Sequence, residues 1–99
     1  MSSNLNQART NIAAQTGAEL LVLRALCDEA APRERRMELI ELYARQAFVE
    51  PEHQVVFESI RALFPRGPIS AARLSVHLTN RGFPDIDMEK YFPPATPKV

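Results

Sequence analysis

Apolar residues recur along this chain with the spacing of buried helix faces, and no segment alternates apolar and polar residues as a half-buried strand would. The first apolar run follows an i, i+3, i+4, i+7, i+8 pattern through Ala18, Leu21, Val22, Ala25 and Leu26. Thr16-Gly17-Ala18-Glu19 has the form of a capping box, which predicts that this helix begins at Thr16. Leu20 and Leu23 lie beside the apolar face, so we expect burial on more than one side.

Two further helices are predicted between Pro32 and Pro65. Pro32 suits the first turn of a helix that continues to residue 46, and Pro51 suits the first turn of the next one. The helix from Pro51 has a broad apolar stripe formed by Val56, Phe57, Ile60, Leu63 and Phe64. Val55 and Ala62, seven residues apart, add a second and narrower stripe, so this helix is apolar on two sides. In so small a domain, such a helix is expected to be the central one.

A fourth helix is predicted to begin after Ser70 and to end at Gly82. Ser70 is a favoured N-cap residue, and Ile69 can pack on Leu74 as a hydrophobic staple. Gly82 takes the position after the helix end where a left-handed backbone is common. Asp85 or Asp87 can then cap a short last helix that ends at Phe92.

The predicted fold is all-α, a small orthogonal bundle of four main helices plus a short C-terminal helix. Its centre is expected to contain Val56, Phe57, Ile60, Leu63 and Leu74. With 99 residues the chain can form one modest core. Residues 1–15 are polar and weakly patterned and are interpreted as a flexible leader, residues 16–92 as the helical domain, and residues 93–99 as a Pro-rich tail or linker.

Charge and composition restrict the classes of partner. Twelve basic and twelve acidic side chains cancel, so we expect neither strong nucleic-acid binding nor attraction to an anionic membrane. The chain has no signal peptide pattern and no run approaching the about 18 apolar residues of a membrane span, which favours a cytoplasmic protein. Cys27 is the single cysteine and is interpreted as a small core residue.

Residue patterns for catalysis or metal binding are missing from the sequence. There is no GxxxxGK[ST] phosphate loop, and His53 and His77 have no metal-binding context. On a helix Asp85 and Asp87 would diverge by about 200°, so they could not share one cation. We therefore expect a chain that is not an enzyme and has no cofactor or metal site.

A DNA-binding interpretation stays open as an alternative. PISAARLSVHLTNRG has the small residues typical of the first helix of a helix-turn-helix. The next segment, FPDIDMEKYF, is acidic where a recognition helix would be rich in Arg, Lys, Asn or Gln. The chain could thus be a helix-turn-helix-like regulator or a stand-alone helical protein, although the acidic segment argues against the former.

One set of residues, spread over roughly residues 18–83, occurs in an order that is familiar from a known family. The set is Ala18, Glu19, Leu23, Phe48, Pro51, His53, Val56, Phe57, Ile60, Leu63, Arg66, Gly67, Pro68, Ile69, Leu74, Leu78, Arg81 and Gly82. With the order of the predicted helices, it resembles the N-terminal domain of DnaB-type bacterial replicative DNA helicases. That domain acts through protein contacts and has no chemistry of its own. The helical subdomain of the primase C-terminal domain is nearly as similar.

Several features depart from that family. Arg24 stands where a small residue is common, and Phe83-Pro84-Asp85 replaces a usual Gly-Gly. The long helical hairpin and the ATPase domain of the helicase have no counterpart in these residues. If this chain is a fragment of an ATP-dependent helicase, the resemblance implies that it is the N-terminal collar. If the chain is a complete protein, the resemblance implies a stand-alone relative.

The resemblance implies a protein–protein interaction domain that takes part in DNA replication assembly, with helicase–primase or subunit contacts of the primosome type. The expected partner is thus another protein or a second copy. The apolar positions left after the core is filled give the predicted docking residues, which are Val55, Ser59, Ala62, Phe64, Phe83, Tyr91 and Phe92. The alternative is that the last helix folds back within the monomer and covers the side of the third helix that carries Val55, Ser59 and Ala62.

Overall fold

The computed structural model describes residues 3–92, with side chains from residue 14 onward, and its regular structure there is entirely helical. The four helices are α1 (Ser3–Cys27), α2 (Arg33–Tyr43), α3 (Pro51–Leu63) and α4 (Ala71–Asn80), with 3₁₀ turns at Phe64–Arg66 and Met88–Lys90. The prediction of a small all-α bundle of four main helices is therefore confirmed. The predicted C-terminal helix to Phe92 is only the second 3₁₀ turn. Residues 93–99, the predicted tail, lie outside the described range.

α1 begins well before the predicted start at Thr16. Residues 3–15, which were interpreted as a flexible leader, form its first turns. The capping-box pattern at Thr16 is therefore not a helix start, and the Glu19 carboxylate bonds elsewhere. The helix passes through Gly17, which has open space around its Cα and costs only about 1 kcal/mol relative to Ala. The segment from Ser3 to Gly17 contains no proline. Because extending an existing helix is easier than starting one, α1 can continue through this segment.

α3 is the central helix, as predicted, because it packs against both α1 and α4. The thirteen buried apolar residues of the core are Leu23, Leu26, Cys27, Ile40, Phe48, Val56, Phe57, Ile60, Phe64, Ile69, Leu74, Leu78 and Tyr91. Four of the five predicted central residues are among them. Leu63 is the exception, since it is only half-buried at the end of α3. The ring of Phe48 lies 5.0 Å from the ring of Phe57 and ties the α2–α3 connection to this core.

Both ends of α4 have the local chemistry that the sequence predicts. The Ser70 hydroxyl accepts a hydrogen bond of 3.1 Å from the Arg73 amide, which confirms the N-cap. At the other end the Phe83 amide bonds the Leu78 carbonyl at 2.8 Å, and the Gly82 amide bonds that of Thr79 at 3.0 Å. This pair is a Schellman motif, and Gly82 supplies the required positive φ of 95°.

Replacing Ser70 by Ala should lower the free energy of unfolding by about 1 kcal/mol, because the first turn of α4 loses its side-chain acceptor. Urea unfolding followed by circular dichroism measures the change. Ser75→Ala is the matched control in the middle of α4, where alanine is the better helix former. An equal loss in both variants would show that the cap makes no contribution of its own.

The C-terminal segment is fastened to α1 and to the first turn of α3. Arg24 Nε donates to the Lys90 carbonyl at 2.6 Å, and the Tyr91 hydroxyl donates to Glu52 Oε2 at 2.5 Å. Asp87 caps the 3₁₀ turn by accepting from the Glu89 amide, which confirms one of the two predicted caps. Tyr91 is thereby buried in the core.

Among the helices of the described range, none is long and apolar enough to cross a membrane.

Candidate protein-interaction surface

α4 has a buried face and an exposed apolar position. Leu74 and Leu78 point into the core and are almost fully buried, whereas Val76 between them is 61% exposed. Residues two positions apart on a helix diverge by about 200°, so the packing that buries the two leucines turns Val76 outward. A large apolar side chain is thus held in solvent on a rigid element.

Val76 lies in a shallow, open groove between the end of α3 and the outer face of α4. The volume of this α3–α4 groove is about 390 Å³, and its lining consists of Leu63, Ala72, Arg73, Val76, His77 and Asn80. The half-buried Leu63 is thus explained, since it forms the α3 wall of the groove. Ala72 is small, and small residues let the backbone of a partner helix approach closely.

The stretch of sequence that contains α4 and the end of α3 is rich in arginine, and Arg73 from this stretch lines the α3–α4 groove. Residues 59–84 contain four arginines, Arg61, Arg66, Arg73 and Arg81, and no Asp or Glu. The Arg81 guanidinium lies 3.8 Å from the carboxylate of Glu58, and both side chains stay largely exposed. The zero net charge of the whole chain therefore conceals a basic region, balanced by an acidic excess elsewhere.

The arrangement of α4 in two parallel rows suits the binding of another helix. Ala72, Val76 and Asn80 are spaced i, i+4 and i+8 and form one row along the groove. Arg73, His77 and Arg81 form the neighbouring row with the same spacing. We call these the Val76 row and the basic row. The apolar side chains of Ala72 and Val76, beside the donors of the basic row, can hold an amphipathic helix by its apolar face and its polar flank at once.

The predicted docking residues do not form one surface. Ser59, Phe64 and Tyr91 are buried within the chain, so in this structure they are not exposed for docking. Val55 and Phe92 are half-buried, and Ala62 and Phe83 are exposed. The physical reason is that α3 packs on two sides, against α1 and α4, and the C-terminal segment folds back over Glu52 through Tyr91.

The α4 residues of the groove are absent from the predicted docking residues, which lie on α3 and among the aromatic residues near turns and the C-terminal segment. A local charge count would have found the region, since the 26 residues 59–84 carry no carboxylate. Val76 would also have stood out, because it lies opposite the predicted inward leucines of α4.

A second polar cluster, at the start of α3, is structural. Glu19 Oε2 accepts from the Val49 amide at 2.7 Å, and Oε1 accepts from the Glu50 amide at 3.3 Å and contacts His53 Nδ1 at 3.0 Å. Burial alone would raise the pKa of Glu19, but the hydrogen bonds from Val49, His53 and Glu50 outweigh it, so the pKa is lowered. The contacts of this carboxylate join α1 to the beginning of α3.

Two other buried groups have little reactivity. Burial, with the nearby Glu29 carboxylate adding to it, raises the pKa of the Cys27 thiol to about 12, so the nucleophilic thiolate is disfavoured. Burial and the hydrogen bond to Glu52 also raise the pKa of Tyr91 above its usual range. In the part of the chain that the structure describes, no three His, Cys, Asp or Glu side chains are grouped so as to hold a metal ion.

Comparison of the chain with protein-family models, with curated proteins and with solved structures found no match. Function is therefore inferred from the α3–α4 groove and from the sequence resemblance.

Proposed function

We propose that the protein is a non-catalytic protein–protein interaction domain with a role in DNA replication assembly, through contacts of the helicase–primase or subunit type. The observation that carries the proposal is the α3–α4 groove, in which Val76 is 61% exposed. The replication role comes from the resemblance to the helicase N-terminal domain.

The groove favours a macromolecular partner over a small molecule. Small-molecule sites enclose most of the ligand and bring a few polar groups together from several directions. Here the groove is open, and its polar lining residues Arg73, His77 and Asn80 all come from α4. Contiguous exposed apolar surface rimmed by polar residues is typical of protein contacts.

DNA binding is the second candidate, and one observation favours it. The four arginines of residues 59–84 could contact phosphates. A helix-turn-helix, however, needs a recognition helix after the first one. Within the described range, α4 is followed by a three-residue 3₁₀ turn; Asp85 and Asp87 precede that turn, and Glu89 lies within it. Protein binding therefore ranks first.

The proposal is tested by replacing Val76 with the photo-crosslinking amino acid p-benzoylphenylalanine and irradiating cells of the native host. We expect a covalent adduct that mass spectrometry identifies as a replicative helicase, a primase or a second copy of this chain. The same replacement at Glu34, exposed on α2, is the control and should give no such adduct.

Adducts at position 76 that contain only proteins unrelated to replication would overturn the replication role. Titration of the purified protein with duplex and single-stranded DNA at about 150 mM salt, where weak phosphate contacts fade, separates the two candidates. Submicromolar, salt-sensitive DNA binding would replace the proposed function with the second candidate.

A further inference from the structure

We infer that the occupant of the α3–α4 groove is an amphipathic helix of a partner protein whose apolar face is flanked by carboxylates. The inference rests on the proposed function, since it specifies the chemistry of the partner at the same surface. It is carried by the juxtaposition of the Val76 row and the basic row on one exposed face of α4.

The dimensions of the Val76 row fit about two turns of a helix. Ala72 and Asn80 are eight residues apart, which corresponds to about 12 Å along the axis of α4. Leu63 adds a third apolar contact from the end of α3. A partner helix would therefore present apolar residues at i, i+3 or i+4, and i+7. One leucine-sized side chain per turn fills the space on either side of Val76.

The charges of the basic row decide which flank the partner helix carries. Arg73 and Arg81 stand at the two ends of this row, again about 12 Å apart along α4. Among the residues that the structure describes, no Asp or Glu lines the groove. Two carboxylates lie near the ends of α4: Glu58, 3.8 Å from the Arg81 guanidinium, and Glu29, which accepts from the Ile69 amide. A lysine-rich helix would meet two like charges here, whereas carboxylates spaced by two turns would meet two guanidinium groups.

The existing contacts of the two arginines leave room for this pairing. The Arg73 guanidinium donates to the Pro68 carbonyl, which holds the side chain in place without neutralising its charge. The Arg81–Glu58 pair is long, at 3.8 Å, and exposed. Each guanidinium has five N–H donors, so both arginines can donate hydrogen bonds to a further carboxylate.

Nucleic acid fits the basic row but leaves the Val76 row unused. A phosphate backbone offers no apolar surface to Val76 and Ala72, and an exposed apolar row would not improve phosphate binding. The acids at positions 85, 87 and 89 also belong to a segment fastened to Glu52, at the opposite end of α3 from Leu63. Glu52 lies about 16 Å along α3 from Leu63.

The inference is tested with a designed probe. The probe is an alanine-based helical peptide of about 16 residues, with leucines spaced i, i+3 and i+7 and glutamates two turns apart beside them. Its partner peptide has lysine in place of each glutamate. Fluorescence anisotropy at about 100 mM salt should give at least about tenfold tighter binding for the glutamate peptide, because two charge pairs become two repulsions in the lysine peptide.

Variants of the protein locate the binding. Val76→Asp should abolish binding of the glutamate peptide, and Ala72→Glu is a second variant at the same row in case one of them unfolds. Leu21→Asp is the matched control, because Leu21 is an equally exposed apolar residue of α1. The double variant Arg73→Glu, Arg81→Glu should reverse the preference in favour of the lysine peptide.

Equal binding of both peptides, or binding that Val76→Asp and Ala72→Glu leave unchanged, would overturn the inference. In that case, a crosslinked adduct between position 76 and a replication protein would still support the proposed function. Displacement of the glutamate peptide by duplex DNA through Arg73 and Arg81 would overturn it in favour of a nucleic-acid surface. Concentration-dependent sedimentation that Val76→Asp suppresses, without peptide binding, would replace the acidic partner with a second copy. Selective glutamate-peptide binding without any replication adduct would support the inference and count against the proposed role.

Discussion

Replacing Ile60 by Asp should abolish cooperative folding of this protein. Ile60 is fully buried in the middle of α3, the helix that packs against α1 and α4. Removing its side chain from the core costs about 1.5–3 kcal/mol. Placing an unpaired carboxylate there adds several kcal/mol, or forces its protonation. The sum approaches or exceeds the stability of about 5–15 kcal/mol that is typical of a domain.

Ala62→Asp is the matched control for this prediction. Ala62 lies two residues later on the same helix but is exposed, so the same carboxylate stays in water. Far-UV circular dichroism should show loss of helix for Ile60→Asp and a native spectrum for Ala62→Asp, and urea unfolding should show a cooperative transition only in the latter. A folded Ile60→Asp variant with an unchanged midpoint would mean that Ile60 is not in the core.

The parts of the fold that depend on local chemistry could be predicted from the sequence. Pro51 at the start of α3, Ser70 as a cap and Gly82 at a positive φ each act through bonds within a few residues. The apolar spacing of α3 also identified its inward face, because a helix places Val56, Phe57 and Ile60 on one side, whereas a strand would turn Val56 and Phe57 to opposite faces.

The start of α1 could not be predicted in this way. Thr16-Gly17-Ala18-Glu19 has the sequence of a capping box, but a capping box also requires a non-helical residue at Thr16. Whether the helix continues upstream depends on propagation through residues 3–15, and the exposed Gly17 is too weak a breaker to stop it. The pattern alone does not distinguish these two cases.

The α3–α4 groove was not predicted from the sequence. A docking edge was expected on the flank of α3 that carries Val55 and Ala62, whereas five of the six residues that line the groove are on α4. Ser59 and Tyr91 are buried by contacts between distant parts of the chain, such as the 39-residue separation of Tyr91 and Glu52. Spacing within one helix carries no information on those contacts.

Glu19 illustrates the same limit in a polar residue. The sequence associated it with Thr16, three residues away, and indicated no partner for His53. In the structure Glu19 and His53 bond each other across 34 residues of sequence.

Replacing Glu19 by Gln should lower the free energy of unfolding by about 2 kcal/mol at pH 7. The carboxylate accepts from the Val49 and Glu50 amides and from His53, and hydrogen bonds to a charged group contribute about 1.5–3 kcal/mol. The amide of Gln has only one acceptor oxygen, and its NH₂ group would face a donor. Urea unfolding at pH 7 measures the loss, and Glu34→Gln, at an exposed position on α2, is the matched control.

The cost of Glu19→Gln should also shrink in acid. Because the folded state lowers the pKa of Glu19, the carboxylate stabilises the fold fully above its unfolded pKa of about 4.3, and this contribution is lost as the pH falls through the lower folded value. The variant has no proton to gain at position 19, so the two unfolding free energies should converge below about pH 4. Glu34→Gln shows how much low pH changes the unfolding free energy through an exposed carboxylate, and this change is subtracted. A difference between the natural protein and Glu19→Gln that is the same at pH 7 and at pH 3 would show that the ionised carboxylate does not hold α1 to the start of α3.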